Sequence, residues 1–236
     1  LSIRPEDLAT FKFTLEYDGD YKDITEYLFH DIDDKKRQAR IVEHFRKFPG
    51  RAGIKVLTDV DDTMYANLVD ERYPKKTVYP GVLDFYDSLK REPFDLSFIP
   101  VTTLSARPNP IAGRFEEASI EGLVKITNGR LRPSGLSGEL VSSTVGSLET
   151  LVRAKLSGLN TFHQAEDKIG IVKFGNFTAF SMAYPEYRYV FLGDSGQADA
   201  LTAELMLTED SVEGTSGVIT TFIHDLRPFS GDEKTI

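Results

Sequence analysis

Three short clusters of oxygen-bearing side chains set the chemistry of this chain. Asp59-Val60-Asp61-Asp62-Thr63 follows the apolar run 54–58. Thr102-Thr103-Leu104-Ser105-Ala106-Arg107 closes a β-rich run that begins at Leu96. Gly193-Asp194-Ser195-Gly196-Gln197-Ala198-Asp199 follows the run 187–192. Asp59 and Asp61 are two residues apart, so in extended backbone their carboxylates point the same way. One can attack as a nucleophile while the other moves protons. Repulsion between them raises one pKa, as a general acid requires. The surplus negative charge suits a magnesium ion, which prefers oxygen ligands. The hydroxyls and the arginine of the middle cluster suit a phosphate-sized oxyanion. An isolated Asp-x-Asp is also common as a solvated acidic turn. The weight here comes from three clusters in order, each at the end of a strand-like run, where open parallel sheets form their sites.

Other chemistries fit the residues less well. A calcium loop begun at Asp59 requires Gly at position 64 and Glu at position 70, where the chain has Met64 and Asp70. The segment around Ser195 is not a Gly-x-Ser-x-Gly elbow, and there is no Gly-Lys-Ser/Thr phosphate loop and no Gly-x-Gly-x-x-Gly. Cysteine is absent, which excludes disulfides, thiolate zinc sites and a cysteine nucleophile. His30, His44, His163 and His224 have no metal-site spacing. Asn176-Phe177-Thr178 matches a glycosylation sequon, but it falls inside a predicted helix and reads as chance. A net charge of −9 argues against general nucleic-acid binding. No apolar run approaches the roughly 18 residues that span a bilayer. No secretory leader is read at the start, and the initial Leu1 leaves room for an upstream segment.

The positioning elements alternate. Strands are predicted over 54–58, 96–103, 187–192 and 218–223. Helices are predicted from Pro80-Gly81 to Lys90, over 165–184 and over 197–207. Strands separated by helices imply βαβ units with right-handed crossovers, hence a Rossmann-like three-layer α/β/α sandwich around a parallel sheet. Residues 133–147 are dense in Gly and Ser and read as a loop. The 236 residues suit one domain with a small appendage. The expected division is an N-terminal extension over 1–50 and a catalytic domain over 51–236. Residues 1–34 are acidic and mix helical with strand spacing, so no element is assigned there. Residues 35–51 are basic, with Ile41, Val42, Phe45 and Phe48 at helical spacing and a stop at Pro49-Gly50. This amphipathic helix either docks on the core with a solvated basic face or lies on an anionic membrane.

The motifs together resemble the haloacid dehalogenase superfamily of phosphotransferases. The Asp-x-Asp-x-Thr signature is matched by Asp59 to Thr63. The second-motif hydroxyl is matched by Ser105, with Thr102 and Thr103 as alternatives. The helix lysine is matched by Lys173, with Lys168 as competitor, and the acidic fourth motif by Gly193, Asp194 and Asp199. Within it, Thr58 to Thr63, Tyr79-Pro80-Gly81-Val82, Gly193 to Asp199 and Phe222-Ile223-His224-Asp225 resemble the actin-patch type of phosphatidate phosphatase. The likeness covers roughly 53–226. His224 stands where that type has an arginine, and Leu104-Ser105-Ala106-Arg107 departs from its Ser-Asn-Ser-Pro.

The resemblance implies a role for each residue. Asp59 attacks phosphorus, and Asp61 is the acid and then the base. Ser105 and Lys173 bind phosphoryl oxygens, Arg107 adds a phosphate contact, and Thr63 with Asp62 fixes the loop. Magnesium is held by Asp59, the Asp61 carbonyl and Asp194, with Asp199 as ligand or support. The expected reaction is magnesium-dependent hydrolysis of phosphatidic acid to diacylglycerol and phosphate, by a cytoplasmic enzyme that meets its substrate at a membrane surface. Protein partners through further regions are also expected. The alternatives are a soluble or protein phosphoester as substrate, or a catalytically silent module that binds lipid or protein.

Overall fold

Val56 and Leu57 are adjacent and both buried, as are Val190 and Phe191, so these strands need cover on both faces of their sheet. A computed structural model of the chain describes residues 7–8, 11–12, 24–48, 53–88, 101–105, 125, 134–137, 164–196, 198–208 and 217–226. In it five parallel strands, β1 (Gly53–Thr58), β2 (Val101–Ser105), β3 (Ser134–Ser137), β4 (Tyr187–Asp194) and β5 (Val218–His224), form one sheet in the order β3-β2-β1-β4-β5.

The period-2 alternation of the strands sorts the core into two layers. Leu57, Tyr189 and Phe191 face one side, where they meet α3 (Gln164–Ala183), α4 (Asp199–Thr208) and α1 (Lys35–Lys47). Val56 and Val190 face the other, where they meet Met64, Tyr65 and Tyr86 of α2 (Val82–Ser88). The predicted three-layer sandwich therefore holds. From β1 the chain moves to β2 on one side, and later returns to place β4 on the other side of β1. Doubly wound sheets open a crevice where strand order reverses in this way, here at the carboxyl ends of β1 and β4.

Several boundaries differ from expectation. β2 runs on to Ser105, and residues 96–100 lie outside the described ones. β4 continues two residues past Leu192, to Asp194, because its ladder with β5 pairs Asp194 with His224. The Gly/Ser-rich stretch read as a loop contains β3, whose residues Ser134 to Ser137 pair with Thr102 to Ser105. Backbone pairing to an open edge needs no apolar pattern, so composition hid this strand. Gly170 and Gly175 do not interrupt α3. At Gly170 a Cβ would stand 3.0 Å from the Ala198 carbonyl oxygen and 3.1 Å from Leu201, so the missing side chain lets α4 approach α3.

The N-terminal residues join the same core. A short helix, Ile24–Glu26, continues as a π-helical turn, Tyr27–Asp31. Asp34 then caps α1, accepting from the N–H groups of Lys36 and Arg37 at 2.9 and 3.2 Å. Leu8, Ile24, Leu28, Phe29, Val42 and Phe45 pack with Phe174, Phe177 and Phe180 of α3. The apolar face of α1 is thus covered by protein, and Lys35, Lys36, Arg37, Arg40 and Lys47 are exposed. Covered on every side in this way, α3 has almost no polar face, and its residues from Lys173 to Ala183 are all buried. Lys12 is buried too. Its ammonium donates to the Ala183 carbonyl at 2.9 Å and to Glu186 at 2.7 Å, and lies over the rings of Phe45 and Tyr184. Removing one partner of a buried ion pair strands the other. Lys12→Ala is expected to cost about 3 kcal/mol of unfolding free energy in urea titration. An unchanged midpoint would show that the apolar contacts alone hold the segment.

Candidate active site

The alternation that fills the core also aims the first acid. Asp59 follows β1 with the parity of Lys55 and Leu57, so it points to the α3 side. Its N–H extends the ladder to the Leu192 carbonyl at 2.8 Å. Thr58 points the other way, donates to the Asp59 carbonyl at 2.7 Å and accepts from the Tyr86 hydroxyl at 3.1 Å. Burial pushes the Tyr86 phenol well above its usual range, so it stays a donor.

On the α3 side the Lys173 ammonium lies 2.9 Å from Asp59 Oδ1 and 2.5 Å from Asp199 Oδ1. Burial alone would lower the lysine's pKa, but the two carboxylates outweigh it and raise the group above its ordinary value, so it is a fixed cation. The competitor Lys168 is exposed. Asp199 opens α4, and its Oδ2 accepts the Asp194 N–H at 3.2 Å. Both its oxygens are therefore engaged, which makes Asp199 the support that aims Lys173. Burial and the Asp59 charge push the Asp199 carboxyl upward, against the pull of the ammonium. A Cβ on Gly193 would stand 2.5 Å from the Asp199 Cβ, so only glycine lets this side chain cross the strand end.

Asp194 ends β4. Its Oδ1 accepts the Gly196 N–H at 2.6 Å, and the Thr63 hydroxyl reaches Oδ2 at 3.5 Å. Desolvation first, and then repulsion from Asp59, push its pKa up to about 6. Asp59, Asp194 and Asp199 each offer an oxygen within 4.8 Å of the others. Three buried carboxylates against one ammonium leave two negative charges, and Asp194 bears the strain of that surplus. A divalent, oxygen-preferring cation fits the oxygens of Asp59 and Asp194, with Asp199 as support behind them.

The turn after Asp59 is held by its own residues. Asp62 adopts a left-handed conformation, with φ 58°. Its carboxylate accepts from the N–H groups of Asn67, Leu68, Val69 and Asp70 at 2.8, 3.0, 2.7 and 3.4 Å. Its own N–H donates to the Tyr65 carbonyl at 2.9 Å. The Asp61 carboxylate accepts from Asn67 Nδ2 at 2.7 Å. It stands outside the three-carboxylate cluster. A hairpin from Met64 to Tyr79 backs the turn, with Tyr65 paired to both Asp61 and Val78.

The structure thus brings Asp59, Asp61, Thr63, Lys173, Asp194 and Asp199 to one crevice. Ser105 ends β2, beside the strand that carries Asp59; its side chain, and all of Arg107, lie outside the described residues. Thr102 and Thr103 are buried in β2. Sequence reasoning missed Asn67, because its bond to Asp61 exists only once the hairpin closes, and no spacing rule reports it. Comparison with family models, curated proteins and solved structures finds no match.

A pH dependence follows from Asp194. In the metal-free fold it keeps its proton to about pH 6. In the unfolded chain it loses the proton near pH 4. Between these values the folded state binds more protons, so stability falls as pH rises. A divalent cation bound there would replace the proton as counter-charge. Scanning calorimetry is expected to show a metal-free Tm that, between about pH 5 and about pH 7, falls further in the wild type than in Asp194→Asn, and a Tm gain from millimolar Mg2+ that is larger at about pH 7 than at about pH 5. A Tm at pH 7 that ignores Mg2+ would contradict the fit.

Proposed function

We propose that this protein is a magnesium-dependent phosphomonoester hydrolase working through an aspartyl-phosphate, with phosphatidic acid as its substrate. The observation that carries the reading is the buried Lys173 ammonium, bonded to both Asp59 and Asp199 beside Asp194 at the strand-order reversal. Such a cluster has no packing purpose that apolar residues would not serve better.

A bound magnesium ion, held by Asp59, Asp194 and the Asp61 backbone carbonyl, would neutralise charge on the phosphoryl oxygens. An Asp59 carboxylate oxygen attacks phosphorus while the bond to the leaving oxygen breaks. Asp61 gives its proton to that oxygen. A water then loses a proton to Asp61 and attacks the phosphorus, which frees inorganic phosphate and restores the Asp59 carboxylate. Lys173 holds Asp59 in place and faces the oxygens on which charge builds. Ser105 and Arg107 are assigned to the same oxygens by the resemblance in their motif.

The apolar edge of the site supports a lipid rather than a soluble ester. Leu68 and Val69 are 56% and 52% exposed. They sit on the loop that Asp62 grips, next to Asn67 and so next to the proton carrier. Large apolar side chains standing in water beside an anion site suit a phosphoester whose leaving group is apolar. No helix among the described residues is long and apolar enough to cross a membrane. The proposed setting is the cytoplasm, with attachment at a membrane surface.

The test is phosphate release with Mg2+ from short-chain phosphatidic acid in mixed micelles and from a small aryl phosphate. Turnover of both is expected, and Asp59→Asn should reduce each by at least about a thousandfold. Leu68→Asp is expected to raise KM for the lipid and leave the aryl phosphate unchanged. Aryl turnover alone would discard the lipid. Silence on both would favour a binding module.

A further inference from the structure

β5 ends at His224, whose side chain the chemistry above does not use. Three groups fix its ring. Nδ1 lies 2.8 Å from the Asp62 carbonyl oxygen, Nε2 lies 3.3 Å from Nη2 of Arg72, and the Tyr79 ring meets it edge-on with centroids 4.4 Å apart. A carbonyl oxygen only accepts and a guanidinium only donates. One neutral tautomer satisfies both, with the hydrogen on Nδ1 and the lone pair on Nε2. The groups behind it are fixed in turn. Arg72 forks onto Asp70 through bonds of 2.9 and 2.8 Å, and the Tyr79 hydroxyl donates to Asp70 at 2.7 Å. Arg72 holds the Asp70 carboxyl well below the usual carboxylate range, so this fork stays charged.

The far end of this chain of bonds is the turn that carries Asp61. A left-handed Asp62 persists where its surroundings over-determine it. Its N–H is bonded to Tyr65 and its carboxylate to the amides from Asn67 to Asp70, so His224 supplies the remaining tie, on the carbonyl. It is also the only one of these ties that comes from outside the segment, from the end of β5.

We propose that His224 is a positioning residue for Asp61: by donating Nδ1–H to the Asp62 carbonyl it fixes the turn that aims the proton carrier. This rests on the phosphatase reading above. The closest mimic of the contact is asparagine, whose Nδ2 stands where Nδ1 stood. Glutamine places its amide nearer the Nε2 position and loses the bond to Asp62.

Two measurements on the full chain test it. Long-range 1H–15N spectra at neutral pH, with His224 assigned by its loss in His224→Asn, are expected to show the Nδ1–H tautomer; an Nε2–H tautomer overturns the proposal without reference to turnover. In steady-state kinetics on the aryl phosphate, His224→Gln is expected to lower kcat about tenfold with little change in KM, the loss of one hydrogen bond to an aimed group. His224→Asn is expected to return kcat to within about twofold of wild type. A merely structural role would lower Tm alike in both variants and leave kcat alone, and that result overturns the proposal, as does an equal loss of kcat in both. An active wild type with a kcat insensitive to His224 removes only the positioning role. A wild type that turns over no phosphoester, with the Nδ1–H tautomer in place, removes the phosphatase reading and this role with it.

Discussion

The Lys173 ammonium, buried between Asp59 and Asp199, is the constraint on which the rest of the site depends. A buried cation is tolerated only where carboxylates compensate it, and buried carboxylates only where cations or N–H groups compensate them. β1 must therefore lie beside β4, and α3 must run over the face to which Asp59 points. Gly193 must lack a side chain, so that Asp199 can cross the strand end and reach the lysine. The compensation is incomplete, and Asp194 registers the excess as a carboxyl pushed up to about 6. That residual charge suits a divalent cation, which the proposed phosphoryl chemistry would use.

A second constraint acts through the backbone. The turn from Asp61 to Tyr65 places a non-glycine residue in the left-handed region, and its carboxylate gathers the amides of the following loop. Asp62 thereby separates two tasks that adjacent acids would otherwise blur. Asp59 faces the lysine and the cation cluster, and Asp61 faces Asn67. The same grip sets Leu68 and Val69 at the edge of the site. The turn that carries Asp61 and the exposed pair Leu68 and Val69 are thus held by one buried carboxylate.

Much of this was legible in the residues. β1 and β4 read openly as short apolar runs, and acids at strand ends mark the crevice because the sheet is parallel and both strands run toward it. Lys173 and Lys168 both stood open in the residues, and the contacts of Lys173 with Asp59 and Asp199 decide between them. What was hidden belongs to pairings between distant segments. β3 is four residues of Ser, Gly and Leu held by backbone bonds to β2, with no pattern to read. Leu8 and Lys12 belong to a stretch of mixed spacing; Leu8 gains its meaning from the core around α3, and Lys12 from Ala183 and Glu186, 171 and 174 positions away. The basic helix allowed two readings until Val42 and Phe45 were seen packed in the core. Asn67 and His224 gain their roles only when the hairpin folds back on Asp61 and β5 ends beside Asp62.

The most direct measurement of the central claim is to quench a single turnover with acid and map the phosphate by peptide mass spectrometry. A phosphoryl group carried on Asp59, absent from Asp59→Asn and accumulating when Asp61→Asn slows hydrolysis of the intermediate, is the expected result. Phosphate released at full rate with no aspartyl adduct, or an adduct on another residue, would contradict the role of Asp59 and of the lysine that holds it.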